Sequence, residues 1–189
     1  MIEKELIAGL KSGDEHAYRF LVEQYRNRLY YALLNILQHA DDAEDALQES
    51  FIQVFKSIQT FREESGLYTW IYRIAVSKAL ERLRKQKARK KLQQFLPWWM
   101  PSEKRSIDAV ELNPGISTER RALANALFEA ISLLPESQRL AFTLIRIQGM
   151  TYEEVCSIMG LKLKAVESLV SRAKENLKKR LESMNKDKF

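Results

Sequence analysis

Apolar residues in this chain return every third or fourth position, in two blocks, and nowhere alternate along a sustained strand. That period restricts the chain to helices. Between the blocks, over residues 92–117, the pattern lapses and Pro97, Pro101, Pro114 and Gly115 punctuate the chain. The expected fold is therefore all-α: two small helical domains, residues 1–91 and 118–189, joined by a flexible linker over 92–117. Within that linker, Leu96-Pro-Trp-Trp-Met100 is too apolar for a free coil. Docking of Trp98 and Trp99 onto a neighbouring helix is favoured over a dedicated partner contact.

In the first block, Ser12-Gly-Asp-Glu15 has a capping-box pattern, followed by Ala17, Phe20, Leu21, Tyr25, Leu29, Ala32, Leu33 and Ile36. Asp41 to Glu44 opens a second helix, with Ala43, Ala46, Leu47, Phe51, Val54, Phe55 and Ile58 as its buried stripe. A third runs from about Leu67 through Trp70, Ile71, Ile74, Ala75 and Leu83 into a basic tail. In the second block, Leu123, Leu127, Ile131 and Leu134 mark a helix. Pro135 suits the first position of the next one, where its missing N–H costs nothing. Leu140, Leu144 and Ile147 line that helix up to Gly149. Thr151 to Glu154 is a capping box, Gly160 sits at a helix C-terminus, and Val166, Leu169, Val170, Ala173 and Leu177 face inward from the last helix.

Charge is ordered along the first block. Asp41, Asp42, Glu44, Asp45 and Glu49 come with no neighbouring Lys or Arg, and Phe61, Tyr68, Trp70 and Tyr72 follow at a bend. Residues 81–91 then hold seven basic side chains against one acid. Ring faces beside cations suit single-stranded nucleic acid, since bases stack while phosphates are neutralised. Carboxylates repel that polyanion, so the acidic helix is expected to meet a protein. Its alternatives are a helix N-terminus stabilised by the macrodipole, a calcium loop, or paired catalytic carboxylates. The last two lack a central glycine and a cleft. The net charge of +6 favours polyanionic partners.

Thr151 to Lys178 reads as a helix-turn-helix, against the plainer reading of an amphipathic hairpin. Lys164, Glu167, Ser168, Ser171 and Arg172 face outward, followed by Lys174, Lys178, Lys179 and Arg180. His16 and His39 are far apart, and Cys156 is placed inward as a small hydrophobe. No metal, cofactor or catalytic arrangement is expected, and the chain is not read as an enzyme. With no signal peptide, no membrane-spanning run and one cysteine, the expectation is a cytoplasmic protein.

Two stretches carry a resemblance. Asp42-Ala-Glu-Asp-Ala-Leu-Gln-Glu-Ser-Phe51 and Phe61-Arg-Glu-Glu-Ser-Gly-Leu-Tyr-Thr-Trp-Ile-Tyr-Arg-Ile-Ala75 resemble region 2 of the extracytoplasmic-function (ECF) RNA polymerase sigma factors. Leu133-Leu-Pro-Glu-Ser-Gln-Arg139, Met150-Thr-Tyr-Glu-Glu-Val155, Val166-Glu-Ser168 and Arg172-Ala173 are similar to region 4 of the same group. The resemblance implies an alternative sigma factor that binds core RNA polymerase and directs promoter recognition and melting. Asp42, Asp45, Gln48, Glu49 and Phe51 would grip the polymerase clamp helices. Phe61, Arg62, Ser65, Tyr68, Trp70, Arg73, Ser77, Lys78 and Arg82 would hold the melted non-template strand of the −10 element. Lys164, Ala165, Glu167, Ser168, Ser171, Arg172 and Lys174 would read the −35 duplex. The linker would thread through polymerase near the RNA exit path, and an anti-sigma factor is an expected partner. Ser77 stands where the family usually has Asn, and Glu81 where Asp is frequent. Lys164-Ala165-Val166 replaces the common Gly-Thr-Val, and Leu169 a frequent Arg, so the promoter sequence is expected to differ. The alternatives from other classes are a stand-alone helix-turn-helix regulator and a structural helical adaptor.

Overall fold

The computed structural model describes residues 2–93 and 118–186, which fall in two compact units, one on each side of residues 94–117. Every regular element among the described residues is helical. None of these helices is long and apolar enough to cross a membrane. The first unit comprises α1 (Glu3–Ser12), α2 (Glu15–Leu37), α3 (Ala40–Ser57), a 3₁₀ turn (Ile58–Thr60) and α4 (Leu67–Gln93). The second comprises α5 (Thr118–Ser132), α6 (Glu136–Phe142) running into a π turn (Thr143–Ile147), α7 (Tyr152–Met159) and α8 (Leu163–Lys186). Helix α4 runs through Gln93, two residues into the expected linker; the rest of it, 94–117, with Trp98, Trp99 and their expected docking contact, lies outside the described residues.

In the first unit α2, α3 and α4 pack on one another. Leu21, Leu29, Leu33 and Ile36 of α2 meet Ala43, Ala46, Leu47 and Val54 of α3, and Leu67, Ile71, Tyr72, Val76 and Ala79 of α4; all are buried. Each large side chain covered in this way stabilises the fold by roughly 1.5–3 kcal/mol. The alanines let backbones approach: Ala43, Ala46 and Ala79 are 0% exposed. Burial also pushes the Tyr72 hydroxyl well above the ordinary tyrosine range, helped by its hydrogen bond with Tyr68.

Several boundaries differ from expectation. Helix α1 was not foreseen; it docks on α2 through Leu6, Ile7 and Leu10. Ser12 belongs to its last turn, where its hydroxyl donates to the Gly9 carbonyl, so Asp14 takes over the capping of α2. The Asp14 carboxylate accepts from the His16 amide at 2.9 Å. His39 caps α3, whose first turn carries Asp41 and Asp42. Phe55 is 57% exposed rather than buried, and lies edge-on to Tyr18 with ring centroids 5.2 Å apart.

The second unit closes on α8. Ala130, Ile131 and Leu134 bury against Ala173 and Leu177. These contacts come from the last turn of α5 and the residues after it, so Leu123 and Leu127, farther back, stay exposed. Pro135 caps α6 instead of opening it. The π turn then rotates the register, leaving Ile147 39% exposed and Gln148 8% exposed. Cys156 is only half-buried. Arg139 is half-buried, and burial pulls its guanidinium below the ordinary arginine range, with Glu136 opposing. It donates to the Ser132 carbonyl at 3.0 Å, tying α6 back to α5.

Candidate nucleic-acid interface

Helix α4 carries two stripes of different chemistry. Ala75, Ala79, Arg82 and Gln86 repeat at helical spacing and face α3. Trp70, Arg73, Ser77, Glu81 and Arg84 repeat on another side, where Arg73, Ser77, Glu81 and Arg84 are exposed. The second stripe continues into the loop before α4, where Arg62 is exposed and Ser65 half-buried. Lys78 is half-buried beside it.

Arg82 departs from its expected place among the DNA-facing cations. It shares a stripe with two fully packed alanines and therefore enters the α3–α4 interface, with its side chain 19% exposed. There it meets Glu49 Oε1 at 2.6 Å, Asp45 Oδ2 at 3.2 Å and Asp42 Oδ1 at 3.6 Å. Burial pulls the guanidinium down, but the hydrogen bond and charge of Glu49, with Asp45, outweigh this and hold it above its ordinary value. Asp42, Asp45 and Glu49, uncompensated along the chain, are thus compensated across the fold.

The acidic helix divides accordingly. Asp45, Gln48 and Glu49 are exposed on one face of α3. Asp42 is buried, accepting from Gln86 Nε2 at 2.7 Å and lying 3.6 Å from His39 Nδ1. Phe51 is buried as well, and its carbonyl accepts from the Tyr18 hydroxyl. Asp42 and Phe51 therefore support the face rather than present it.

The bend aromatics also separate. Phe61 is 5% exposed, with its ring 5.0 Å from the half-buried Trp70. Its ring is core, not an open stacking surface. Tyr68 is half-buried against α2: Arg28 lies 4.7 Å over its ring and donates to its hydroxyl at 3.1 Å. Tyr25 and Tyr72 flank the same ring at 6.0 and 4.5 Å. Tyr25 entered the sequence expectation only as part of the periodic stripe of its helix, and Arg28 not at all, because nothing local ties residues so far apart in the chain.

In the second unit the helix-turn-helix geometry is well defined. Thr151 Oγ1 accepts from the Glu154 amide at 3.3 Å, and Glu154 accepts from the Thr151 amide at 2.8 Å. Gly160 has φ 66°, the left-handed conformation that glycine tolerates best. Val166, Val170, Ala173 and Leu177 are buried, which turns Lys164, Ala165, Glu167, Ser171, Arg172 and Lys174 outward. Ser168 is half-buried at the edge of that face.

Along α8, Lys164, Glu167, Ser171 and Lys174 share one stripe, with Ala165 and Arg172 alongside. Short side chains near the N-terminus of such a helix reach base edges, while cations on its flank meet phosphates. In the −35 role that the resemblance implies, Glu167→Gln should redistribute preference among −35 variants, by roughly 1–3 kcal/mol at the affected base pair. Arg172→Ala or Lys174→Ala should weaken all variants alike and lower the salt slope by about one. Binding curves on a small promoter panel at several salt concentrations check both. Equal weakening of every promoter by Glu167→Gln would exclude that carboxylate as a reader.

Comparison with known proteins gives these surfaces a context. The sigma-70 region 2 family model matches residues 21–89, and the sigma-70 region 4 model matches residues 124–177. An ECF RNA polymerase sigma-E factor of Haemophilus influenzae is 32% identical over 97% of this chain and 97% of its own length. That of Escherichia coli is 29% identical over 97% of this chain and 96% of its own length. Among solved structures, the sigma factor RpoE of Bartonella quintana, in complex with the anti-sigma factor NepR, has a similar fold. Its TM-score is 0.72 at 21% identity, covering 87% of this chain and 96% of that one.

Proposed function

The chain belongs to the ECF sigma factors of RNA polymerase, and from that premise we propose how its surfaces divide the work. It is an alternative sigma factor, which binds core polymerase and directs promoter recognition and the start of transcription. In the proposed division, residues 1–91 act as region 2, 92–117 as the linker and 118–189 as region 4. Asp45, Gln48 and Glu49 form the core-polymerase face, backed by Asp42 and Phe51. Arg62, Ser65, Tyr68, Trp70, Arg73, Ser77 and Lys78 hold the melted −10 strand, with Phe61 anchoring the loop. Lys164, Ala165, Glu167, Ser168, Ser171, Arg172 and Lys174 contact the −35 duplex. The chain itself performs no chemistry in this reading; it supplies recognition to an enzyme. Its site of action is the cytoplasm, and an anti-sigma factor is a proposed partner, as the Bartonella quintana complex has.

The observation that carries this division is the pair of stripes on α4. One side holds the α3 carboxylates through Arg82, and the other continues from the Phe61–Ser65 loop through Arg73 and Ser77. A stand-alone duplex-binding regulator needs neither. Co-purification with core polymerase separates the two readings directly. The melting role has its own test: Arg62→Ala combined with Ser65→Ala should slow open-complex formation by about tenfold, equivalent to roughly 1.4 kcal/mol on the barrier. Initial duplex binding should stay within about twofold, since base capture follows it. Normal permanganate reactivity of the −10 thymines in that variant would remove the loop from base capture.

A further inference from the structure

Helix α1 precedes the segment matched by the region 2 family model, yet it holds the loop assigned here to base capture. Leu6, Ile7 and Leu10 anchor it on α2. Gly9 permits the close approach, because a Cβ there would stand 2.7 Å from that of Ala17. With the helix fixed in this way, its two ends reach the loop. Lys11 Nζ lies 3.3 Å from Glu63 Oε1 and 6.0 Å from the centre of the Phe61 ring. Gln59 Nε2, at the loop entrance, donates to the Lys11 carbonyl at 2.5 Å. At the loop exit the Leu67 amide donates to Glu3 Oε1 at 2.8 Å, satisfying the first turn of α4.

The loop needs such support. Glu63 has φ 59°, a left-handed conformation that a residue with a Cβ adopts reluctantly. Its carboxylate is the group that Lys11 holds. A loop fixed beforehand in its receiving shape does not lose that conformational entropy when a base enters. We propose that Glu3 and Lys11 are positioning residues for promoter opening, acting through the Phe61–Gly66 loop without touching nucleic acid. This rests on the reading of that loop as the base-capturing element.

Exposed ion pairs add little to folding, so a charge swap should leave the fold intact. Holoenzyme carrying Lys11→Glu should open a promoter about three- to tenfold more slowly, on the order of the preorganisation lost with one contact. The fragment is one selected by run-off transcription with the unaltered chain, and the readout is permanganate reactivity of the −10 thymines. Lys11→Glu combined with Glu63→Lys, which restores the pair with its signs exchanged, should recover opening to within about twofold. Failure of the double variant to recover overturns the inference. If the single variant also lowers the salt slope of binding by about one, Lys11 contacts a phosphate itself and the inference is again overturned. Normal opening by Lys11→Glu overturns it whatever the loop variants do. Normal opening by the Arg62 and Ser65 variant instead removes the base-capture reading of the loop.

Discussion

Glu49→Lys should all but abolish binding to core polymerase, lowering affinity at least about 30-fold, the scale of 2–5 kcal/mol for losing one partner of a charge pair buried on binding. The reversal acts twice. It removes a carboxylate from the exposed face of α3, and it sets an ammonium against Arg82, now 2.6 Å from Glu49. The second effect should cost about 1 kcal/mol of folding stability, limited by the 46% exposure of the Glu49 side chain. Gln48→Lys separates the two contributions. Gln48 lies on the same exposed face outside the Arg82 cluster, so its loss of affinity should come without loss of stability. Pull-down with core polymerase, paired with circular dichroism, reads both. Unchanged affinity in a folded Glu49→Lys chain would remove α3 from the polymerase interface.

The second large effect is expected in the other unit. Leu144→Ala should destabilise it by about 3 kcal/mol, within the range of 2–5 for a fully buried leucine. Leu144 is 0% exposed within the π turn, and its carbonyl accepts from the Met150 amide at 3.1 Å just before α7. A cavity there undercuts the base of the helix-turn-helix. Amide exchange in α7 and α8 of the full chain should accelerate on the order of 100-fold, because opening tracks that free energy. Unaltered protection would show that α8 is held independently of the π turn.

The sequence was most readable where local rules suffice. The box at Thr151 and Glu154, the glycine at Gly160 and the period of α8 place the helix-turn-helix because each is settled within a few residues. Periodicity was less able to say which apolar residues are covered. Phe55, Leu123 and Leu127 fit a helical stripe and still face outward, since covering depends on where the neighbouring helix ends. Helix α1 escaped notice because Glu3, Lys4, Glu5 and Lys11 dilute its three anchors. The π turn shifts the register after Phe142 by rearranging the backbone, and no residue type announces it.

Arg82 shows how a linear reading hides a side chain's place. Its charge was counted along the chain, with Arg84 and Lys85, whereas its spacing from Ala75 and Ala79 already pointed toward α3. Phe61 is similar: an aromatic beside cations suits stacking, yet its ring is buried beside Trp70. Asp45, Gln48, Arg73, Ser77, Lys164 and Glu167 are all exposed in the structure, which is the minimum their assigned roles require.

In the proposed division of surfaces, one guanidinium spanning α3 and α4 would couple the two ligands of the first unit thermodynamically. A partner that draws Glu49 or Asp45 toward itself must break or share their contacts with Arg82, and so shift the electrostatic balance of α4, the helix assigned above to the −10 strand. Such coupling is reciprocal: whatever factor polymerase gives to DNA affinity, DNA returns to polymerase affinity. The sigma factor alone and the sigma factor on polymerase are then two different DNA ligands, even where no helix changes place.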